Sequence, residues 1–309
     1  LVYKKTKDIL VYMPGIGVMG EGSDQWINAG EMENKGIEFN VGYRGNIRDF
    51  QYDLTGNIGT YRNEVTRLPS TIAAKGTFGG NGVKSVVGHP MGAQVGYVYD
   101  GVFKSQEEID NHAQQDGAGL GRIRYKDLNG DGKITEADQD WIYDPTPDFT
   151  WGLNIYLQYK DFDFTMFWQG VQGVDVNCIG YKSQTDFWAN SNVNVPYLNK
   201  GTRVLDAWSP ANPDSDIPAL TTSDTNREGR LSTYYIENGS YAKLRTVQLG
   251  YNMPKSITEK LKMDRIRLYV SAQNLLTIKS GKFTGNDPER PGFDYPIPLN
   301  LTFGVNVGF

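Results

Sequence analysis

The stretch that most constrains this chain is its last, Leu299 to Phe309, which reads Leu-Asn-Leu-Thr-Phe-Gly-Val-Asn-Val-Gly-Phe. Leu299, Leu301, Phe303, Val305, Val307 and Phe309 are apolar, and every residue between them is polar or glycine. Side chains alternate across a pleated strand, so this run is a strand with one apolar and one polar face. A soluble sandwich produces the same alternation. Length and position separate the two: about ten residues is what a tilted strand needs to cross a bilayer, and this strand ends on an aromatic. It reads as the closing strand of a membrane β-barrel.

Seven further segments alternate in the same way. Ile37, Phe39, Val41 and Tyr43 are followed by a turn at 46–49, and then Tyr52, Leu54 and Ile58. The longest pattern runs Phe149, Trp151, Leu153, Ile155, Leu157 and Tyr159, turns at Lys160-Asp161, and returns through Phe162, Phe164, Met166 and Trp168. Val247, Leu249 and Tyr251 follow, then Ile266, Leu268, Val270 and Ala272, and the opening residues make the weakest member. Connections after the second, fourth and sixth strands are short (46–49, 160–161, about 253–264), whereas the others are long (about 11–35, 62–147, 172–240, 275–298). Outer-membrane barrels pair short periplasmic turns with long extracellular loops. A sandwich has no reason to keep that parity, which also places the C-terminus in the periplasm.

Composition agrees. Tyr (19), Phe (13), Trp (6) and Gly (36) are plentiful in 309 residues. No run approaches the roughly 18 apolar residues of a transmembrane helix, which says nothing against a barrel. A net charge of −5 gives nucleic-acid binding no electrostatic support. Cys178 is a lone cysteine and reads as a buried or incidental thiol, and His89 and His112 are too isolated to form a catalytic dyad. The chain opens on strand-like residues from Leu1, with no leader, and reads as a fragment. Eight strands can close a small barrel, but the long connections here would dwarf one.

One motif carries chemistry. Asp127-Leu-Asn-Gly-Asp-Gly-Lys-Ile-Thr-Glu-Ala-Asp138 follows the spacing of a calcium loop. Oxygen ligands come from Asp127, Asn129 and Asp131, then the Lys133 carbonyl, with Gly132 at the sharp turn and Ile134 pointing inward. Asp138 stands where a bidentate Glu is usual and is one methylene shorter. Strand-like residues upstream and Pro145 and Pro147 downstream argue against a helix–loop–helix sensor. The expectation is a structural Ca2+ ion stapling an insertion at 117–147 within a long outer loop.

No acid–base pair or nucleophile site emerges, so an enzyme is not expected. Loop aromatics, among them Trp188, Tyr197 and Trp208 as candidate substrate contacts, either stack on sugars or peptides or pack the loops together.

Specific strings add a family resemblance. Asp127-Leu-Asn-Gly-Asp-Gly-Lys-Ile134 is followed by Asp144-Pro-Thr-Pro-Asp-Phe-Thr-Trp-Gly152, Ala207-Trp-Ser-Pro210, Tyr235-Ile-Glu-Asn-Gly-Ser-Tyr241, Leu249-Gly-Tyr251, Asn274-Leu-Leu-Thr277 and Tyr295-Pro-Ile-Pro298. In this order they resemble the C-terminal part of the SusC/RagA family, TonB-dependent outer-membrane transporters of Bacteroidetes. Asp144 departs from the Asn usual there. The resemblance implies an all-β antiparallel transmembrane barrel, with residues 1–309 forming about the last eight strands of a 22-strand wall whose plug lies outside this chain. It implies import of oligosaccharides or peptides, a SusD-like lipoprotein lid, coupling to TonB, and contact with outer-membrane lipid. The alternative is a non-transporting surface or secreted β-protein that binds glycan and is stabilised by calcium.

Overall fold

The computed structural model describes residues 1–13, 25–69, 86–188, 199–222, 224–292 and 294–309. Long strands β1 (Val2–Met13), β2 (Gln25–Ile47) and β3 (Phe50–Arg67) come first. Four short strands follow: β4 (Gln94–Tyr97), β5 (Tyr99–Val102), β6 (Ile123–Tyr125) and β7 (Gln139–Tyr143). Then come β8 (Phe149–Tyr159), β9 (Phe162–Gln172), short β10 (Asp175–Asn177) and β11 (Ile236–Asn238), and long β12 (Tyr241–Asn252), β13 (Arg265–Lys279) and β14 (Asn300–Gly308). Among the described residues no helix is long and apolar enough to cross a membrane.

The eight long strands form one antiparallel sheet in the order β1-β2-β3-β8-β9-β12-β13-β14, each beside its predecessor. Two hairpins use two-residue turns whose first residue, Arg48 or Lys160, takes a left-handed φ of 54° or 52°. The sheet is open, with β1 and β14 at its edges.

Directly paired residues share a face. One row runs Tyr43, Leu54, Ile155, Met166, Val247, Ala272, Leu301 across seven strands. The next row, Arg44, Asp53, Tyr156, Thr165, Gln248, Ser271, Thr302, is polar throughout and lies on the other face. The apolar face is most open on β2 and β14, where Val41 is 68% exposed and Phe303 80%, and is half-buried at Leu153, Ile155 and Met166 on β8 and β9. Its apolar span on β2 runs from Ile37 to Ile47. About ten steps of ~3.3 Å, tilted ~40°, span ~25 Å, the height of the apolar band of an outer-membrane barrel.

All eight expected strands are present, and three are longer than the alternation indicates. β2 begins at Gln25, β3 continues to Arg67 and β13 to Lys279, so parts of the expected connections 11–35, 62–147 and 275–298 are strand. Beyond Ile37 the same face of β2 carries Lys35, Glu33 and Glu31, so alternation vanishes while the backbone ladder continues. Ion pairs Lys5–Glu31 at 3.1 Å and Lys35–Glu33 at 2.9 Å decorate this extension. β12 shows the reverse. Leu244 and Val247, an odd number of residues apart, share the apolar face because a register shift at Arg245 inserts an extra residue.

The short strands belong to a second region built by the long connections. They pair as β4–β7, β5–β6 and β10–β11. Tyr97, Ile123, Tyr125, Phe187, Tyr234 and Tyr235 form its core, with Ile134 packed against it. Cys178 is a buried free thiol beside Val176 and Phe283, as the sequence led us to expect.

Candidate functional site

Two surfaces converge: the polar face of the sheet, and the connection region joined to it. Charges on the polar face are paired across strands. Arg44 on β2 meets Asp53 on β3, with Nε and Nη2 at 2.8 and 2.5 Å from Oδ2. Arg267 on β13 reaches across β12 to Asp163 on β9, with bonds of 2.8 and 2.5 Å. Arg44 forks onto a single oxygen, whereas Arg267 engages both oxygens of Asp163, a bidentate pair that fixes both side chains in orientation as well as charge.

A third network ties the connection 280–298 to the sheet. Lys243 on β12 is fully buried and donates to Asp287 Oδ1 and Oδ2 at 2.7 Å each and to Glu289 Oε2 at 2.6 Å. Arg245 and the Tyr241 hydroxyl also bond Glu289, the latter at 2.6 Å. Burial works against ionisation of Glu289, but donors from Lys243, Tyr241 and Arg245 outweigh it and bring its pKa down to about 2. Sequence reasoning missed these residues. Their signal was present as cations at polar-face positions inside a strand, but their partners lie more than 40 residues away in a connection.

The connection region is cross-linked by buried polar groups. Arg122 pairs with Glu228 at 2.7 Å, both buried. Glu228 Oε1 also accepts from the Ile123 amide, and Gln115 donates to the Ile123 carbonyl and to Asn226 while accepting from the Tyr125 amide. Asp186 accepts from Arg203 at 2.6 Å and from the Tyr234 hydroxyl at 2.7 Å. Arg230 lies over the Tyr97 and Tyr125 rings, 4.4 and 4.1 Å from their centroids. Residues 93–126 and 224–238 are thus one cross-linked unit.

The calcium-motif loop leaves this unit directly after β6. Asp127 accepts from the Gly130 and Gly132 amides at 2.7 and 2.9 Å, Asn129 from Asp131 and Asp131 from Lys133. Gly130 and Gly132 take φ of 73° and 80°, which glycine adopts at no steric cost. Ile134 anchors the loop inward, its amide donating to the Gln114 carbonyl at 2.9 Å. Asp138 is fully buried and closes the loop, accepting from Leu128 and Asn129 on one oxygen and from Thr135 on the other. Burial raises the pKa of Asp138, but the three backbone donors prevail and hold it below the ordinary carboxylate value. The donors fit an oxygen-coordinated cation in kind: the half-buried Asp127 and exposed Asp131 carboxylates, an amide and a carbonyl in one loop. Among the described residues no group of three or more His, Cys, Asp or Glu is arranged to hold a metal ion.

The aromatic candidates are not gathered into one place. Trp188 is 39% exposed beside buried Phe187. The Trp208 ring lies on Gly121, where a Cβ would sit 2.3 Å from its Cε3, so that face is used in packing. Tyr197 lies outside the described residues. Phe187, Tyr234 and Tyr235 are core residues.

No family model matches the chain. It is 33% identical over 330 residues to TonB-dependent receptor P3 of Formosa agariphila, covering 99% of this chain and 31% of the relative. TonB-dependent receptor SusC of Bacteroides thetaiotaomicron is 29% identical over 91% of this chain and 27% of the relative. Over nearly its whole length the chain is similar to TonB-dependent receptors, SusC among them. Among solved structures, the RagAB peptide transporter superposes with a TM-score of 0.74 at 21% identity, covering 99% of this chain and 32% of that one. The sheet is therefore a section of an all-β antiparallel barrel wall. The chain spans about a third of the length of these relatives.

Proposed function

We propose that the chain forms the lipid-embedded wall section of an outer-membrane TonB-dependent importer of oligosaccharides or peptides, working with a SusD-like lipoprotein lid. The observation that carries this reading is the inverted polarity of the sheet. A water-soluble sheet hides its apolar face, whereas here that face is left open, most of all on β2 and β14, and the paired charges line the other side. Arg44, Asp53, Asp163 and Arg267 then face the lumen, the short turns 48–49, 160–161 and 253–264 face the periplasm, and the connection region stands outside the cell. Relatives named as receptors, and a structural neighbour that imports peptides, support transport over catalysis. The test is extraction of the full-length protein from its native outer membrane in mild detergent, with mass spectrometry of what co-purifies. A stoichiometric SusD-like lipoprotein carrying glycan or peptide is expected. Recovery in the soluble fraction would overturn the reading and favour a secreted glycan-binding module.

Calcium at Asp127, Asn129, Asp131 and the Lys133 carbonyl is part of the same proposal, with Asp138 closing the loop. Asp127, half-buried, and Asp131, exposed, spend oxygens on backbone donors that any loop of this shape needs. The cation would add charge compensation and fix the insertion 117–147 against the core through Ile134. Double substitution Asp127→Ala/Asp131→Ala, or a chelator, is expected to increase protease cutting within 117–147. Identical cutting with and without chelator would remove the ion from the proposal. Trp188 is the aromatic we assign to substrate, since its ring is displayed while that of Trp208 is covered.

A further inference from the structure

We infer that the turn 253–264 is an interfacial foot that rests on the phospholipid of the periplasmic leaflet, and this inference rests on the barrel reading above. The turn is longer than the two-residue hairpins at the same end of the sheet. It opens at Pro254, continues as a helical turn, Lys255–Thr258, and extends through a Leu261 amide bond to the Ile257 carbonyl at 3.3 Å.

The structure indicates which side of the sheet it occupies. Ile266, Leu268 and Val270 follow one another on the apolar face of β13. Leu268 and Val270 are 41% and 38% exposed, but Ile266, nearest the turn, is 9% exposed. The helical turn packs on β13, and its Thr258 is fully buried. The turn therefore folds over the lipid side of the wall and not across the lumen mouth.

In that position its chemistry fits a membrane surface. Ile257 and Leu261, four residues apart on one helical face, stay 39% and 53% exposed after folding. Lys255, Lys260 and Lys262 outnumber the acidic Glu259 and Asp264 in a chain whose net charge is −5. All three lysines are exposed. Leucine or isoleucine at the acyl boundary with lysine at the phosphates is how amphipathic segments lie in an interface. The foot would fix the height of the β12–β13 hairpin in the bilayer.

The test places a fluorophore on single cysteines of the full-length protein in vesicles of phosphatidylethanolamine with a minor fraction of phosphatidylglycerol. The vesicles contain acyl-brominated lipid as quencher, and buried Cys178 is left unlabelled under native conditions. The positions are Ile257→Cys, Leu261→Cys, Val305→Cys on the apolar face and Asn306→Cys on the polar face. Quenching at 257 and 261 approaching that at 305, with little at 306, is the expected result. Quenching at 257 and 261 no greater than at 306, while 305 is strongly quenched, overturns the foot and leaves the barrel standing. A label at 305 that escapes quenching overturns the barrel reading and the foot with it. Charge reversal of Lys255, Lys260 and Lys262 to Glu should at least halve quenching at 261, and unchanged quenching would remove the headgroup contact.

Discussion

The sheet and the connection region solve the same problem in opposite ways. The connection region buries Phe103, Ile123, Tyr125 and Tyr235 completely, as a water-soluble domain does. The sheet leaves Phe39, Val41, Phe303 and Val305 bare and turns its charges toward one another across strands. One chain thus holds two regions whose stability refers to two solvents. Charge placement then has opposite consequences: a buried ion pair holds the connection region together, and a single charge on the apolar face breaks the wall.

The largest effect is expected in the connection region. Glu228→Ala leaves Arg122 buried without its carboxylate and strips the Ile123 amide of its acceptor. Breaking one side of such a pair costs roughly 3–5 kcal/mol. Hydrogen exchange should rise over 115–125 and 224–235 while the wall keeps its heat-modifiable mobility. Simultaneous loss of that mobility would mean that the two regions do not fold separately.

Leu153→Arg tests the other side. An outward charge near mid-height costs roughly 2–4 kcal/mol, so outer-membrane levels of this variant should fall sharply. Asn154→Arg, one residue along on the polar face, should assemble normally. Equal levels of the two variants would erase the distinction between the faces.

A smaller change is expected from Tyr235→Phe, which removes the hydroxyl donated to the Glu228 carbonyl at 2.5 Å. Leaving a buried carbonyl without its donor costs about 1–3 kcal/mol. Thermal unfolding of the connection region should drop accordingly, with no effect on barrel assembly.

The mildest effect belongs to the latch between the regions. Glu289 has an ordinary pKa of 4.5 and a folded pKa of about 2. A carboxyl depressed by folding stabilises the folded form above its ordinary pKa and ceases to do so as pH falls through the folded one. Exchange protection over 284–290, corrected for intrinsic rates, should be constant above pH 4.5 and decline toward pH 2. Glu289→Gln should remove that decline, and its persistence would assign the pH dependence to another group.

The eight strands and their short-turn parity were legible because a wall between two solvents must alternate at every step, and period two is written in consecutive residues. The shape of the loop 127–138 was legible for the same local reason: Asp127, Asn129, Asp131 and Asp138 close it through hydrogen bonds to backbone amides within that stretch. Beyond Ile37 the legibility ended, since Lys35, Glu33 and Glu31 continue the ladder with water on both sides and no alternation to report it. The tertiary structure alone decided that Lys243 meets Asp287 and Glu289, that Arg122 meets Glu228, that Trp208 is packing surface, and that the 253–264 turn folds toward the apolar side. Each depends on contacts closed across tens of residues, where the energetics come from burial and pairing and leave no periodic trace in the chain.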